Sequence, residues 1–173
     1  MSYATSFESF DVKELLEQSP LDQAFTDKFK AISREQLRAE QNEKFLRCVA
    51  RAWQIPFYQR LWGNAGIKPE DIRSLDDITK LPVFGKHEIM ASVEACPPLG
   101  DFHGWQDGTE AGSKPLVFHT TSGTTGRPQP LVFSPHSREV QSLLLARLYR
   151  WQGMAPGDVV HSVYGHGMIN GGH

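Results

Sequence analysis

Between two apolar runs, Pro115-Leu116-Val117-Phe118 and Pro130-Leu131-Val132-Phe133, the chain places His119-Thr120-Thr121-Ser122-Gly123-Thr124-Thr125-Gly126-Arg127-Pro128. Hydroxyls, glycines and one guanidinium are concentrated there, and an anion of the phosphate type suits them. Backbone N–H groups of a glycine-rich turn can converge on an anion, Ser and Thr hydroxyls add donors, and Arg127 adds a planar fork matched to phosphate oxygens. Gly123 and Gly126 allow positive φ and remove a side chain where a ligand must come close. A solvated hairpin turn also favours Gly, Ser and Pro, and on composition alone it stands level with a phosphate loop. Length and content weigh against the plain turn. A hairpin needs few loop residues and has no use for the hydroxyls of Thr120, Thr121 and Ser122 followed by those of Thr124 and Thr125. Two commoner nucleotide signatures, G-x-x-x-x-G-K-[ST] and G-x-G-x-x-G, are both missing from the stretch.

Such a loop needs elements that hold it in place. The two apolar runs have strand character. After them, Ser134-Pro135-His136-Ser137 offers a helix start, and Val140, Leu143, Leu144, Leu148 and Trp151 trace one apolar face up to Gly153 as the C-terminal stop. Ala155-Pro156-Gly157-Asp158 then turns the chain into Val159-Val160-His161-Ser162-Val163-Tyr164, which reads as a buried type of strand. Hairpin strands, helix, strand is the order of an α/β sheet with crossover connections. The glycine-rich Tyr164 to His173 follows that last strand. Ligands in open α/β sheets bind beyond the carboxyl ends of strands, so the segment suits a pocket wall, with a glycine-ended tail as the alternative.

Upstream the pattern is helical. Leu21, Phe25, Phe29 and Ile32 recur at spacings of three and four, and after Ser33 the set Phe45, Leu46, Val49 and Trp53 continues the period. Glu40 with Lys44 and Glu43 with Arg47 are acid-before-base pairs that mark a solvent face. These helices are read as scaffold. Pro56 ends the second of them near Gln54, and Phe57 and Tyr58 beside it are read as core packing rather than a ligand lip. Asn64-Ala65-Gly66 and Lys68-Pro69 are turn material. Ser74-Leu75-Asp76-Asp77 fits a capping box opening a short helical turn before Leu81-Pro82, and Lys86 to Val93 fits a further helix. Cys96 through Ser113 reads as loop. From Gly100 to Ser113 nearly every residue is glycine or polar, so a seam is placed there, with 1–110 mainly helical and 111–173 beginning an α/β subdomain.

With 173 residues, 39% hydrophobic and 22% charged, the chain has ordinary globular composition and enough length for a core. A net charge of −2 gives no electrostatic reason to expect nucleic acid or an anionic membrane as partner. The N-terminus lacks a signal-peptide pattern and no apolar run approaches the ~18 residues of a membrane helix, so a cytoplasmic protein is expected. Cys48 and Cys96 match no metal or redox spacing and are read as reduced thiols packed as small apolar groups. His161, His166 and His173 form no i, i+4 pair with an intervening carboxylate, and no metal site is assigned to them.

Thr121-Ser122-Gly123-Thr124-Thr125-Gly126-Arg127-Pro128 resembles the ATP-phosphate loop of the adenylate-forming, acyl-CoA synthetase and luciferase superfamily. Ile55-Pro56-Phe57-Tyr58-Gln59-Arg60, Gly66 to Ile72, Leu75 to Leu81-Pro82, Pro156-Gly157-Asp158-Val159-Val160 and Tyr164-Gly165-His166-Gly167 resemble, in the same order, the phenylacetate-CoA ligase branch. The resemblance runs from about Ala50 onward. It implies a helical N-terminal portion followed by the start of the α/β sheet of an adenylate-forming large domain, the ATP-binding part. It also implies a reaction in which a carboxylic acid and ATP give an acyl-adenylate and pyrophosphate, after which the thiol of coenzyme A displaces AMP. Magnesium and fixed donors would neutralise the phosphates. By resemblance, Thr121, Ser122, Gly123, Thr124, Thr125, Gly126 and Arg127 would hold the β- and γ-phosphates, and Tyr164, Gly165, His166 and Gly167 would line the acyl pocket. No residue is assigned a catalytic role. Gln129 follows Pro128 where the wider superfamily usually has Lys, and the cation Arg127 precedes the proline instead, an arrangement often shown by the phenylacetate branch.

The expected partner is a small aromatic carboxylic acid, with room left for a homodimer. His166 near Tyr164 hints at a hydroxylated acid, against the simpler role of a hydrogen bond from His166 to backbone. Family motifs for adenine and ribose and the lysine that drives adenylation would follow position 173, so the chain is expected to be cut in mid-fold and inactive alone. Two other functions stay open: adenylation with transfer to a carrier protein, and a non-catalytic interaction module.

Overall fold

The computed structural model describes residues 11–18, 20, 21, 23–105, 116–123, 126–163, 165 and 167. In chain order the elements are α1 (Val12–Gln18), α2 (Gln23–Ala31), α3 (Arg34–Ala52), α4 (Pro56–Asn64), two 3-10 turns (Pro69–Asp71 and Leu75–Lys80), α5 (Lys86–Ala95), β1 (Val117–Thr120), β2 (Pro130–Phe133) and α6 (Pro135–Trp151). They fall into two compact units, one of residues 32–114 and the other of residues 1–31 with 115–173.

In the 32–114 unit, α3 starts where the sequence breaks the helical period. Ser33 accepts from the backbone N–H of Gln36 at 3.1 Å, and the Gln36 side chain accepts from the N–H of Ser33 at 2.9 Å, a reciprocal cap. Pro56 stands at the first position of α4, where its missing N–H costs nothing and its fixed φ suits the helix. That helix is absent from the sequence reading, which took the proline only as a stop. Val49, Trp62 and Ile72 form the buried centre, with Phe45, Leu46, Trp53, Tyr58, Ile67 and Leu81 packed around it. Trp62 lies 5.0 Å from Trp53 and 5.2 Å from Tyr58, ring centre to ring centre. Phe57 is buried and meets Tyr58, Phe84 and Phe102 edge-on, which is the core role anticipated for it.

Polar ties close this unit. The Leu75 N–H donates to Asn42 Oδ1 at 2.7 Å, and Arg38 pairs with Asp76, so the second 3-10 turn is fastened to α3. Asp77 accepts from the N–H groups of Arg73 and Ser74 and pairs with Lys80, and these contacts, led by the Lys80 hydrogen bond, pull its carboxyl down to about 2. Arg60 grips Asp101 with two hydrogen bonds of 2.5 and 2.9 Å, and the buried Ser92 hydroxyl donates to the same carboxylate at 2.7 Å. The Arg60 bond is the main reason the Asp101 carboxyl lies below its usual range. Cys48 and Cys96 are free thiols, yet both are exposed rather than packed as small apolar groups.

In the other unit, β1 and β2 pair antiparallel with Val117 opposite Phe133 and Thr120 opposite Pro130. Ser134 caps α6 by accepting from the Ser137 N–H at 3.1 Å, and Gly153, at φ +91°, follows the last turn. Leu143 is fully buried, and Leu15 of α1 is buried with 4% of its surface exposed. The expected apolar face of α6 is only partly covered, because Leu144, Leu148 and Trp151 are exposed among the described residues.

The expected strand from Val159 to Tyr164 is a correction. Residues 159–163 carry no strand, and Val159, Val160 and Val163 are exposed by 99, 65 and 92%. A strand exists through the pairing of its backbone, and the sheet of the described residues consists of β1 and β2 alone. Tyr164 itself lies outside the described residues, as do 106–115, most of the sequence assigned to the seam.

Candidate functional site

The hairpin delivers the hydroxyl-rich loop at one end of the β1–β2 pair. Thr120, placed in the loop by sequence, is the last residue of β1. His119 is likewise a strand residue: it is fully buried and meets the Phe133 ring edge-on at 5.8 Å, so it belongs to the packing under the loop. One more rung extends the ladder beyond the strands. The Thr121 N–H donates to the Gln129 carbonyl at 3.0 Å, and the Gln129 N–H donates to Thr121 Oγ1 at 3.0 Å. The Thr121 hydroxyl oxygen therefore fastens the loop's own base.

Above that rung the chain reverses tightly. The Gly126 N–H donates to the Gly123 carbonyl at 2.9 Å, closing a four-residue turn. Gly123 sits at φ +70°, and a Cβ there would lie 2.9 Å from Pro128 Cγ and 3.0 Å from the Gly126 carbonyl oxygen. The residue is thus required twice, by the left-handed backbone and by the proline ring packed against its α-carbon. Gly126 is at φ +133° in open space, so only its backbone conformation asks for glycine. Ser122, Gly126, Arg127 and Pro128 are exposed. Neither the Ser122 nor the Gly123 N–H has a hydrogen-bond partner among the described residues, which leaves two adjacent backbone donors beside the turn. Two neighbouring N–H groups next to a left-handed glycine are the elements of an anion-binding concavity.

Of the residues assigned to phosphate, then, Thr121, Ser122, Gly123, Gly126 and Arg127 are brought into one exposed turn, while Thr124 and Thr125 lie outside the described residues. Of those assigned to the acyl pocket, Gly165 and Gly167 are exposed, with nothing within 4 Å of an added Cβ, and Tyr164 and His166 lie outside the described residues. The sequence reading missed Pro128 as the wall that fixes Gly123. Its signal was the five-residue spacing between a glycine and a proline that must face each other across a turn. Among the described residues no group of three His, Cys, Asp or Glu side chains is arranged to hold a metal, and no helix is long and apolar enough to cross a membrane.

Comparison with known proteins bears on the loop directly. No protein-family model matches the chain. The chain is 30% identical over 149 residues to a phenylacetate-coenzyme A ligase of Thermus thermophilus, spanning 86% of this chain and 31% of that protein. It is 27% identical over 147 residues to the phenylacetate-coenzyme A ligase of Escherichia coli, 84% of this chain and 31% of that one. Among solved structures, it matches 2-hydroxyisobutyryl-CoA ligase in complex with 2-HIB-AMP and CoA in the thioesterification state. That match has a TM-score of 0.58 and 32% identity, over 73% of this chain and 28% of the other. An aligned span of 149 of 173 residues leaves 24 outside, so an unbroken span contains residues 25–149 and with them the whole loop. The chain spans about a third of the length of these curated relatives. Over that third, the chain is similar in sequence to the phenylacetate-CoA ligases and, in fold and sequence, to a CoA ligase solved with an acyl-adenylate and CoA.

Proposed function

We propose that these 173 residues supply the phosphate-gripping part of an ATP-dependent ligase that joins a small aromatic carboxylic acid to coenzyme A in the cytoplasm. The observation that carries this is the turn at Gly123, whose left-handed backbone, packed proline and two adjacent N–H donors are the elements of an anion-binding turn, within the span shared with the ligases. Thr121, Ser122, Gly123, Thr124, Thr125, Gly126 and Arg127 would hold the β- and γ-phosphates of ATP. A carboxylate is a poor electrophile, and transfer to the α-phosphate turns it into a mixed anhydride with a good leaving group. The turn's task is to fix the departing pyrophosphate while its charge develops, with backbone dipoles already oriented and Arg127 as the counter-charge.

The described residues hold no carboxylate cluster for magnesium, so the ion would reach the site on the phosphates of ATP. Coenzyme A enters from the relatives, whose names and bound ligands include it. Tyr164, Gly165, His166 and Gly167 would line the acyl pocket. A second acid class, a small hydroxy acid, is favoured by the match to 2-hydroxyisobutyryl-CoA ligase. In this scheme the chain is divided into a helical portion, 1–110, and the start of the ATP-binding subdomain, 111–173. Because the relatives are about three times as long, the chain alone grips phosphate without completing adenylation.

Two measurements test this. Calorimetric titration of the chain with MgATP should show binding that Gly123→Val abolishes, and equal binding by both proteins would overturn the assignment. ATP–pyrophosphate exchange with phenylacetate should be absent from the chain alone, and turnover would overturn the statement that it is incomplete.

A further inference from the structure

The last turns of α6 and the first turn of α2 enclose a second cationic recess that the reaction above does not use. Arg147, Arg150 and Trp151 face Leu21, Gln23, Phe25 and Thr26 across a cavity of about 220 Å³. Arg147 stacks on the Phe25 ring, with its guanidinium carbon 3.9 Å from the ring centre, and its Nε donates to the Pro20 carbonyl at 3.0 Å. The ring of Trp151 stands 6.4 Å from that of Phe25 and closes the other side. Stacking and the Nε bond fix the plane of the guanidinium, so its terminal nitrogens are held in one orientation.

The charge balance of the recess is one-sided. No carboxylate among the described residues lines it, and neither arginine takes part in an ion pair there. Burial works against the charged form of Arg147, and no acidic neighbour among the described residues offsets it. A partly buried cation without a counter-ion among the described residues, beside a second arginine three residues on, is a site whose electrostatic cost an incoming anion would offset. The Thr26 hydroxyl is a neutral donor on the opposite wall, and the Gln23 amide, one hydrogen of which donates to Asp27 Oδ1 at 2.7 Å, has its second hydrogen as another. Size selects among anions. Pockets for drug-sized ligands run from about 300 to 1,000 Å³, so this one suits a small oxyanion rather than a whole cofactor.

We propose that the recess between α2 and α6 is a second anion site that takes a diphosphate group, through Arg147 and Arg150 with Thr26 and Gln23. The diphosphate could be free pyrophosphate or the end of a nucleoside diphosphate, and the two sources are separable. Titration of the chain with inorganic pyrophosphate should reveal two classes of site. Arg150→Gln should weaken one class at least about tenfold, the worth of one charge-assisted hydrogen bond, and leave the other. Gly123→Val should do the reverse, so failure of the loop and failure of the recess give different results. Arg147→Gln should weaken the same class as Arg150→Gln. Because it also removes the Phe25 and Pro20 contacts, Arg150→Gln, on the exposed wall, is the deciding variant if Arg147→Gln unfolds. ADP binding that is lost in Arg150→Gln would identify a nucleotide end as the source, and pyrophosphate binding without ADP binding would identify the free ion. A single class of pyrophosphate site abolished by Gly123→Val, or two classes both indifferent to Arg150→Gln, would overturn the assignment.

Discussion

Replacing Gly123 by alanine tests the loop at its tightest point. An L-residue at φ +70° costs about 1 to 2 kcal/mol relative to glycine. The new methyl would also sit 2.9 Å from Pro128 Cγ and 3.0 Å from the Gly126 carbonyl oxygen. The proline ring can shift by tenths of an ångström, but the carbonyl belongs to Gly126, whose N–H donates the hydrogen bond that closes the turn, and moving that peptide opens the turn. Overpacking of this kind typically adds about 1 to 3 kcal/mol. Because the turn is exposed, the free chain can relax and avoid most of this cost, whereas a ligand that needs the two N–H donors aligned must restore the strained form. The effect should therefore appear in binding rather than in unfolding. Taking about 2 kcal/mol as the lower end, Gly123→Ala should weaken MgATP binding roughly 30-fold by calorimetry, with the midpoint of thermal unfolding nearly unchanged. Gly126→Ala meets no neighbour within 4 Å and should show the backbone cost alone, while Gly165→Ala should show nothing. Affinity for MgATP in Gly123→Ala within about twofold of the parent would refute the reasoning, since it would mean the bound loop does not use this conformation.

Other consequences are open to direct measurement. Trp62→Ala removes the ring shared by Trp53 and Tyr58 and should destabilise the 32–114 unit by about 3 to 5 kcal/mol in urea denaturation. Ser33→Ala removes the cap of α3 and should cost about 1 kcal/mol in the same assay, most of it recovered by Ser33→Asp. The Asp77 carboxyl is held at about 2 in the folded chain, below the ordinary 3.8, so its contribution is fully present above the unfolded value. It should be lost as pH falls from about 4 towards 2, and Asp77→Asn should flatten that part of a stability-versus-pH curve. Burial lowers the pKa of His103, so it too favours the folded chain at higher pH, and stability should begin to fall as pH drops below its ordinary 6.5. His103→Gln should remove that earlier decline and leave the one due to Asp77.

The parts of this molecule legible in the sequence are those decided by local chemistry. Ser33 and Ser134 announce their helices because a cap is a contact three residues long, and the hairpin announces itself because both strands border the same glycine-rich turn. What was not legible depends on partners distant in sequence. The valine-rich run at 159–163 cannot form a strand without a neighbour to pair with, whatever its propensity. His119 stands in the sequence at the head of the hydroxyl-rich run, and only the register with Leu131 places it in a strand, buried beneath the turn. Arg147 drew no notice, since its meaning comes from Phe25 and Pro20 more than a hundred positions earlier. The recognised loop motif was legible as a type of chemistry, while the reason Gly123 cannot be anything else lies in the ring of Pro128.

The exposed valines of residues 159–163 have a practical meaning. Val159, Val160 and Val163, all exposed and outside any strand, offer apolar side chains against which another extended segment can pack, a second copy of the same stretch included. At high concentration the isolated chain should therefore gather into β-rich aggregates seeded at this stretch. A lysine at Val160 or Val163 should act as a gatekeeper that keeps the chain dispersed, readable by light scattering and thioflavin fluorescence.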